Sequence, residues 1–383
     1  VPSRGLGDVY KRQILATKRN LYGLDRGELE ALFQEIGLQA FRGRQIMKWV
    51  YHQGITDFSA MTDLPLKTRQ WLQEHCCWEL PVVHERYLSK DGTVKWLIRV
   101  AQGDLVETVL IPDKGRNTLC VSSQVGCVLD CSFCSTGKQG FNGNLSAAEI
   151  VGQMAIANAY LAQTSESVTN VVLMGMGEPL LNFDAVLAAT NIMMDDHAFG
   201  LSKRRVTVST AGVVPGIEKL QQHTDVSLAI SLHAPSDELR TKLVPINKKY
   251  PIAQLLAACR NYVEYLGPAR KLVIEYTLMR GVNDQIQHAR ALVTVLQNLR
   301  CKVNLIPFNP FPGSGYERPE EHDIYAFQTV LMQAGFVTMI RTTRGEDIDA
   351  ACGQLVGMVD DRTRRQQRYR DRLAQEISAV QIH

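Results

Sequence analysis

No stretch of this chain is a continuous apolar run of about 18 residues, so no membrane-spanning helix and no membrane partner are expected. The leader VPSRGLGDVYKRQ has neither an initiating Met nor the apolar segment of a secretory signal; residues 1–13 read as a cloning or sequence-record remnant. The cysteines do not form a disulfide framework. There are nine in 383 residues, an odd number, which points to the reducing cytosol and a cytoplasmic protein. A closed zinc site is short of ligands. Only one C-x₂-C pair exists, Cys131 and Cys134, and His197, His223 and His233 lie too far apart to complete it. Nor is there a large excess of one charge. The net charge is +3, so the chain is not polybasic as a whole.

What is present is a globular composition, 45% hydrophobic and 21% charged, enough for one large domain and a small one. Basic residues cluster locally. Arg362 to Arg372 holds six arginines in eleven residues, and Lys203, Arg204 and Arg205 form a second group. Such runs either contact phosphates or form a solvated face.

Residues 14–84 read as a small helical domain. Leu29, Leu32, Phe33 and Ile36 recur at helical spacing behind an N-capping Asp25, and Gly37 ends that helix. Phe41, Ile46, Trp49 and Val50 continue the pattern up to Gly54, and Asp63 and Pro65 open another short helix. The arginines and lysines nearby suit a nucleic-acid backbone, or plain helical packing with solvated charges. Residues 85–112 predict a β-hairpin linker, turning at Lys90-Asp91-Gly92, with Val94, Trp96, Ile98 and Val100 alternating on one arm.

Over residues 113–353 strand and helix patterns alternate. Strands are predicted at 118–121, 168–176, 205–209, 226–232, 272–279 and 303–308, with helical patterns between them. Ser146 and Glu149 make a capping box at the first helix. Six such units predict an α/β fold with a parallel sheet and right-handed crossovers, a partial (β/α)₆ barrel. Residues 354–383 read as a C-terminal basic helix.

The run GCVLDCSFCSTG follows the first of these strands. Cys127, Cys131 and Cys134 are spaced C-x₃-C-x₂-C. Iron–sulfur cubanes usually take four cysteines. Three thiolates leave one iron of a 4Fe–4S cluster open for a substrate. The spacing resembles that of the radical S-adenosylmethionine (SAM) enzymes, which implies SAM chelated at the open iron and cleaved to a 5′-deoxyadenosyl radical. Polar residues then follow successive strands, where barrel sites form. They are Gly177 and Glu178, Ser209, Ser231-Leu232-His233, and Asn309. Glu178 offers a carboxylate to a ligand ammonium, and Gly177 lets the backbone approach a ligand. The set suits the carboxylate, ribose and adenine of SAM.

Together with GCVLDCSFCSTG, the stretches MGMGEPLLN, VTVSTAGVVPGI, LAISLHAP, NLIPFNP and RTTRGEDIDAACGQL resemble the family of radical-SAM RNA adenine C2-methyltransferases, from about Leu21 to Leu373. The resemblance implies a helical accessory domain before a radical-SAM barrel. It implies methylation of adenosine C2 in 23S rRNA, at the peptidyl-transferase centre, and in tRNA, 3′ of the anticodon. It also implies an electron donor such as flavodoxin. A monomer is expected, since a site admitting folded RNA is open.

C2 of adenine is neither acidic nor nucleophilic, so a polar displacement does not reach it. By resemblance, Cys352 in AACGQL carries the methyl group, taken from one SAM, and a second SAM yields the radical that activates it. Cys120 is the second thiol and disulfide partner. Glu107, in LVETVLIP, matches the proton acceptor, against the alternative of a strand residue facing solvent or pairing with an arginine. A sister family that methylates C8 shares the cluster and both thiols, but the GEP stretch favours C2. A non-catalytic iron–sulfur RNA-binding factor would need neither Cys352 nor the GEP strand end. A radical-SAM enzyme on another substrate would lack the Cys120 and Cys352 pair.

Overall fold

The computed structural model describes residues 18–355 and Gly357. The leader, the arginine run at 362–372 and nearly all of the predicted C-terminal helix lie outside the described residues. Three helices build the first unit: α1 (Arg26–Glu35), α2 (Arg42–Met47) and α3 (Leu66–His75). Asp25 caps α1, and the Asp25 N–H donates to the Glu28 carboxylate in return. Of the apolar positions picked out by spacing, Leu29, Leu32, Phe33, Ile46 and Val50 are buried, Ile36 and Trp49 are partly buried, and Phe41 is exposed. Short strands Arg19–Asn20 and Cys76–Cys77 pair in parallel and tie the ends of the unit together. It rests on the main domain through Arg26 Nε to Asp195 at 2.6 Å and the edge contact of Tyr51 with Phe199, centroids 5.0 Å apart.

Ten strands form one sheet. In chain order they are β1 (Val82–Leu88), β2 (Val94–Arg99), β3 (Leu105–Asp113), β4 (Arg116–Cys120), β5 (Asn170–Leu173), β6 (Val206–Thr210), β7 (Ser227–Ser231), β8 (Leu272–Leu278), β9 (Cys301–Pro307) and β10 (Thr338–Ile340). Their order across the sheet runs from β10 down to β4 and then β3, β2, β1. Strands β4 to β10 are parallel. They are joined by helices α4 (Ala147–Leu161), α5 (Phe183–Met194), α6 (Val214–His223), α7 (Ile252–Tyr265), α8 (Ile286–Leu296) and α9 (Glu321–Gln333). Helices cover one face and the barrel interior the other, which is why these strands read as apolar runs. The Ser146–Glu149 capping box starts α4.

All six expected barrel strands are present, and β10 is a seventh. It is only three residues long, too short for a periodic pattern. The hairpin β1–β2 turns near Lys90–Gly92 and is extended by β3, which pairs antiparallel with β4. The hairpin therefore continues the barrel sheet. Among the described residues no helix is long and apolar enough to cross a membrane.

Candidate active site

The cysteine loop leaves the top of β4. Gly126 has φ +71°, and a Cβ there would lie 1.7 Å from the Gly140 oxygen, so glycine is required. The tight approach lets the Cys127 N–H donate to Gly140 O at 2.9 Å. Cys127, Cys131 and Cys134 all line one pocket of about 170 Å³. Burial pushes the Cys131 and Cys134 thiols up, and at Cys131 the neighbouring Cys134 and Cys127 add to it. Among the described residues no three His, Cys, Asp or Glu side chains gather as a single-ion site. Three thiols that share a pocket without converging on one point suit three irons of a 4Fe–4S cluster, and the all-sulfur donor set fits iron–sulfur chemistry.

Strand ends complete this strand-end pocket. Gly177, Glu178, Ser209, Ser231 and His233 line it. Gly177, at φ +96°, is crowded by the protein itself: a Cβ would sit 2.4 Å from Gln124 Cβ. Gln124 Oε1 in turn accepts from the Glu178 N–H at 2.8 Å. The Glu178 carboxylate accepts from the N–H groups of Ala211 and Leu180, at 2.8 and 3.1 Å. Burial raises it to about 7 against the pull of these bonds. His233 is driven down to about 3 by burial and the nearby Arg240 charge, so its ring is neutral. Its Nδ1 accepts from the Thr277 N–H at 3.0 Å, which leaves the ring proton on Nε2. Leu232 sits differently. Its side chain is buried, its N–H donates to Glu275 O and its carbonyl accepts from Arg240 Nε, and it does not line the pocket. Arg240, fully buried, also donates to the carbonyls of Ala211 and Ser231 and so holds the ends of β6 and β7 together.

A second cavity, of about 460 Å³, opens on the side of the barrel. Residues from β9 and β10 line it on one flank and Ile111, Asp113, Arg116 and Thr118 of β3 and β4 on the other. It is the gap that the curved sheet leaves between its last strand and its first. Cys352 and Arg341 line both cavities. Cys352 is exposed, whereas Cys120 is 8% exposed at the end of β4. Burial and the nearness of Cys352 push the Cys120 thiol up to about 12. The Arg341 guanidinium lies within electrostatic reach of both thiols, and Cys352 above all raises it. The two thiols and this cation form one constellation. The sequence did not single out Arg341, although RTTRG follows a strand as the other site residues do.

The Cys352 loop is held from two sides. Ser135 N–H donates to Gly353 O at 2.9 Å and Thr136 Oγ1 to Leu355 O at 2.7 Å, both from the helix after the cysteine loop. From the meander, Ser89 Oγ donates to Asp347 at 2.5 Å, and Asp91 accepts from the Gly345 N–H at 3.0 Å. Asn309, expected at the cofactor, lines the side cavity; its Nδ2 donates to Cys352 O at 3.3 Å. Glu107, expected as proton acceptor, lines neither cavity. It is buried in β3 in an ion pair with buried Lys95 at 3.1 Å, neither facing solvent nor pairing with the arginine that the sequence alternative offered.

Residues 19–78 match the family described as ribosomal RNA large subunit methyltransferase N-terminal domain, and residues 121–293 match the radical SAM superfamily. The chain is 58% identical over 356 residues to a dual-specificity RNA methyltransferase RlmN of Pseudomonas putida, covering 92% of this chain and 93% of that one. The RlmN of Pseudomonas fluorescens is equally similar, 58% over the same length. A crystal structure of a radical SAM methyltransferase from Sphaerobacter thermophilus superposes with a TM-score of 0.82 at 42% identity, covering 88% of this chain and 99% of that one.

Proposed function

Because this chain belongs to the RlmN family of radical SAM methyltransferases, we propose that it methylates C2 of adenosine in large-subunit rRNA and in tRNA. One observation carries the reading: Cys352 stands in the shared wall of two cavities, with Cys120 and Arg341 beside it. One cavity has the donors for a cluster and SAM. The other is open, flanked by Arg116, Arg341 and Arg344, and suits a base extruded from RNA.

A 4Fe–4S cluster held by Cys127, Cys131 and Cys134 would supply the electron that cleaves SAM. Glu178 takes the ammonium of SAM, and Ser209, Ser231 and the His233 Nε2–H face its remaining polar groups. Cys352, at the mouth of that pocket, accepts the methyl group from SAM by displacement at carbon, losing its own proton. The same side chain then presents the methyl group to the adenosine in the side cavity without leaving its loop. Once the methyl carbon has given up a hydrogen atom to the radical that SAM cleavage would supply and has bonded to C2, C2 releases its proton to a base and gives up one electron. Cys120, a thiol at neutral pH, then attacks the Cys352 sulfur; the S–C bond breaks as the S–S bond forms, and the freed carbon takes up the proton that Cys120 loses. Arg341 holds positive charge beside both sulfurs and partly offsets the burial that keeps Cys120 protonated. The reading also calls for an external one-electron donor of the flavodoxin kind, for a monomer and for a place in the cytoplasm.

Nucleoside mass spectrometry tests it. The protein is reconstituted anaerobically with iron and sulfide and given SAM, a reductant and unmodified rRNA or tRNA. A 2-methyladenosine peak that Cys352→Ala abolishes is expected. An 8-methyladenosine peak would move the chain to the sister chemistry. A verified cluster without SAM cleavage would sink the reading.

A further inference from the structure

A buried carboxylate that nothing above uses stands between the two cavities. Glu275 is at the middle of β8, a strand buried along its whole length, and is only 3% exposed. So deep a carboxylate is retained only where something offsets its desolvation. Its Oε1 accepts from Asn304 Nδ2 at 2.9 Å. Among the described residues its Oε2 has no hydrogen-bond partner, and neither has Asn304 Oδ1. Burial pushes Glu275 above the ordinary carboxylate range, and Arg341, near but not ion-paired, pulls the other way. Glu275 lines the strand-end pocket and Asn304 lines the side cavity. Two buried acceptor oxygens, on side chains linked through one hydrogen bond, are thus left unpartnered among the described residues in the barrel wall that Arg341 and Cys352 also border.

We propose that Glu275 and Asn304 form a specificity pair that holds the exocyclic amine of the target adenine, resting on the reading that an adenosine is the substrate. An aromatic amine offers two N–H donors and suits two acceptors. Guanine carries an oxygen at the same ring position and would set a third acceptor against these two. The pair therefore selects adenine over guanine by leaving the wrong base unpaired. Asn304 lies on the open side cavity and not in the strand-end pocket, which favours the RNA base over the adenine of SAM as the occupant.

The test uses the reconstituted full chain and RNA stem-loops with either adenosine or purine riboside, which lacks the amine, at the target position. For the wild type, kcat/KM should favour adenosine by about 10²–10⁴-fold, because the analogue leaves buried acceptors unpaired. Glu275→Gln should cut that ratio by about 10- to 100-fold, the loss of a charged hydrogen bond, and Asn304→Ala should cut it less. The ratio is taken within one preparation, so loss of folded or cluster-loaded protein cancels. A wild type that methylates both RNAs equally overturns the proposal. So does a ratio unchanged in both variants, including the case where SAM affinity falls instead, which would place the pair on the cosubstrate. A wild type that methylates neither RNA but still cleaves SAM overturns the functional reading and this inference with it.

Discussion

Cys120 and Cys352 face the same guanidinium, yet they belong to very different surroundings. Cys120 ends a strand, in register with Val172 of β5, and its thiol is buried and hard to ionise. Cys352 is exposed, although its loop neighbours Ala350, Ala351, Gln354 and Leu355 are buried, and hydrogen bonds to the cysteine-loop helix, Asn309, Pro310 and the β1–β2 hairpin hold the loop. A group that must meet two substrates in turn needs access and a little give. A group that acts last, on its neighbour, gains from being fixed and shielded. The contrast fits the proposed division of roles, with the methyl carrier on the loop and the resolving thiol on the strand.

The sharpest way to break this assignment is to remove each thiol. Cys352→Ala should lower RNA methylation by about 10⁴-fold or more, as loss of a covalent carrier does. Cys120→Ala should also stop product release, while peptide mass spectrometry still finds a methyl group on Cys352. A methyl group absent from that peptide would mean that the two roles are not divided as described.

Next in size is the support beneath the loop. Lys95 also reaches toward Asp349 O at 3.4 Å, so the buried Lys95–Glu107 pair links the meander to the loop. Lys95→Met should destabilise the protein by about 3–5 kcal/mol in urea unfolding, by stranding a buried carboxylate, and Lys95→Met with Glu107→Leu should restore most of it. Glu107→Gln separates two roles. If methylation per folded molecule is unchanged, Glu107 is structural; if it falls with stability intact, Glu107 is the proton acceptor after all.

Smaller is the effect of loosening the loop itself. Asp91→Ala removes the acceptor for the Gly345 N–H and should lower kcat/KM by about 10-fold, since small misplacements of a reacting group are costly. Burial pushes Asp91 up, but hydrogen bonds from Thr93, Gly345 and Ser89 outweigh it and bring it down to about 2. A carboxylate depressed on folding stabilises above its ordinary pKa, and the gain fades as pH falls through the folded value. Asp91 should therefore add no pH dependence to activity between about pH 5 and 8, and the anchor should fail only in strong acid, as melting curves across pH would show. The mildest test is alkylation of the cluster-free protein. Iodoacetamide should reach exposed Cys352 well before buried Cys120, and equal labelling would mean that the loop does not shield the strand.

Much of this was legible from the sequence because it was periodic or tightly spaced. The six barrel strands alternate with helices, the cluster cysteines sit in one loop, and Gly177, Glu178, Ser209, Ser231 and His233 lie at or just after the ends of strands. What escaped has physical reasons. β10 is too short to show a period. Leu232 and Asn309 follow strands too, but position along the chain does not say which residues of a turn face inward. Arg240 lies in a helix that reads as a solvated face, DELRTKL, yet it is fully buried because it satisfies strand-end carbonyls. Glu275 did leave a signal: a lone charge inside the apolar run LVIEYTL. Charged residues in fully buried strands are rare enough to mark a site.

The anchoring of the Cys352 loop also bears on how the enzyme comes into being. Its contacts reach back across the chain, 258 residues from Asp347 to Ser89 and 219 from Leu355 to Thr136. Contacts so distant in sequence close late, after the local units have formed. In a chain made from its N-terminus, the barrel, the cysteine loop and the β1–β2 hairpin all emerge before Cys352 does. The reactive sulfur is thus added to a scaffold already able to receive it, and a barrel that folds wrongly offers the loop nothing to dock on.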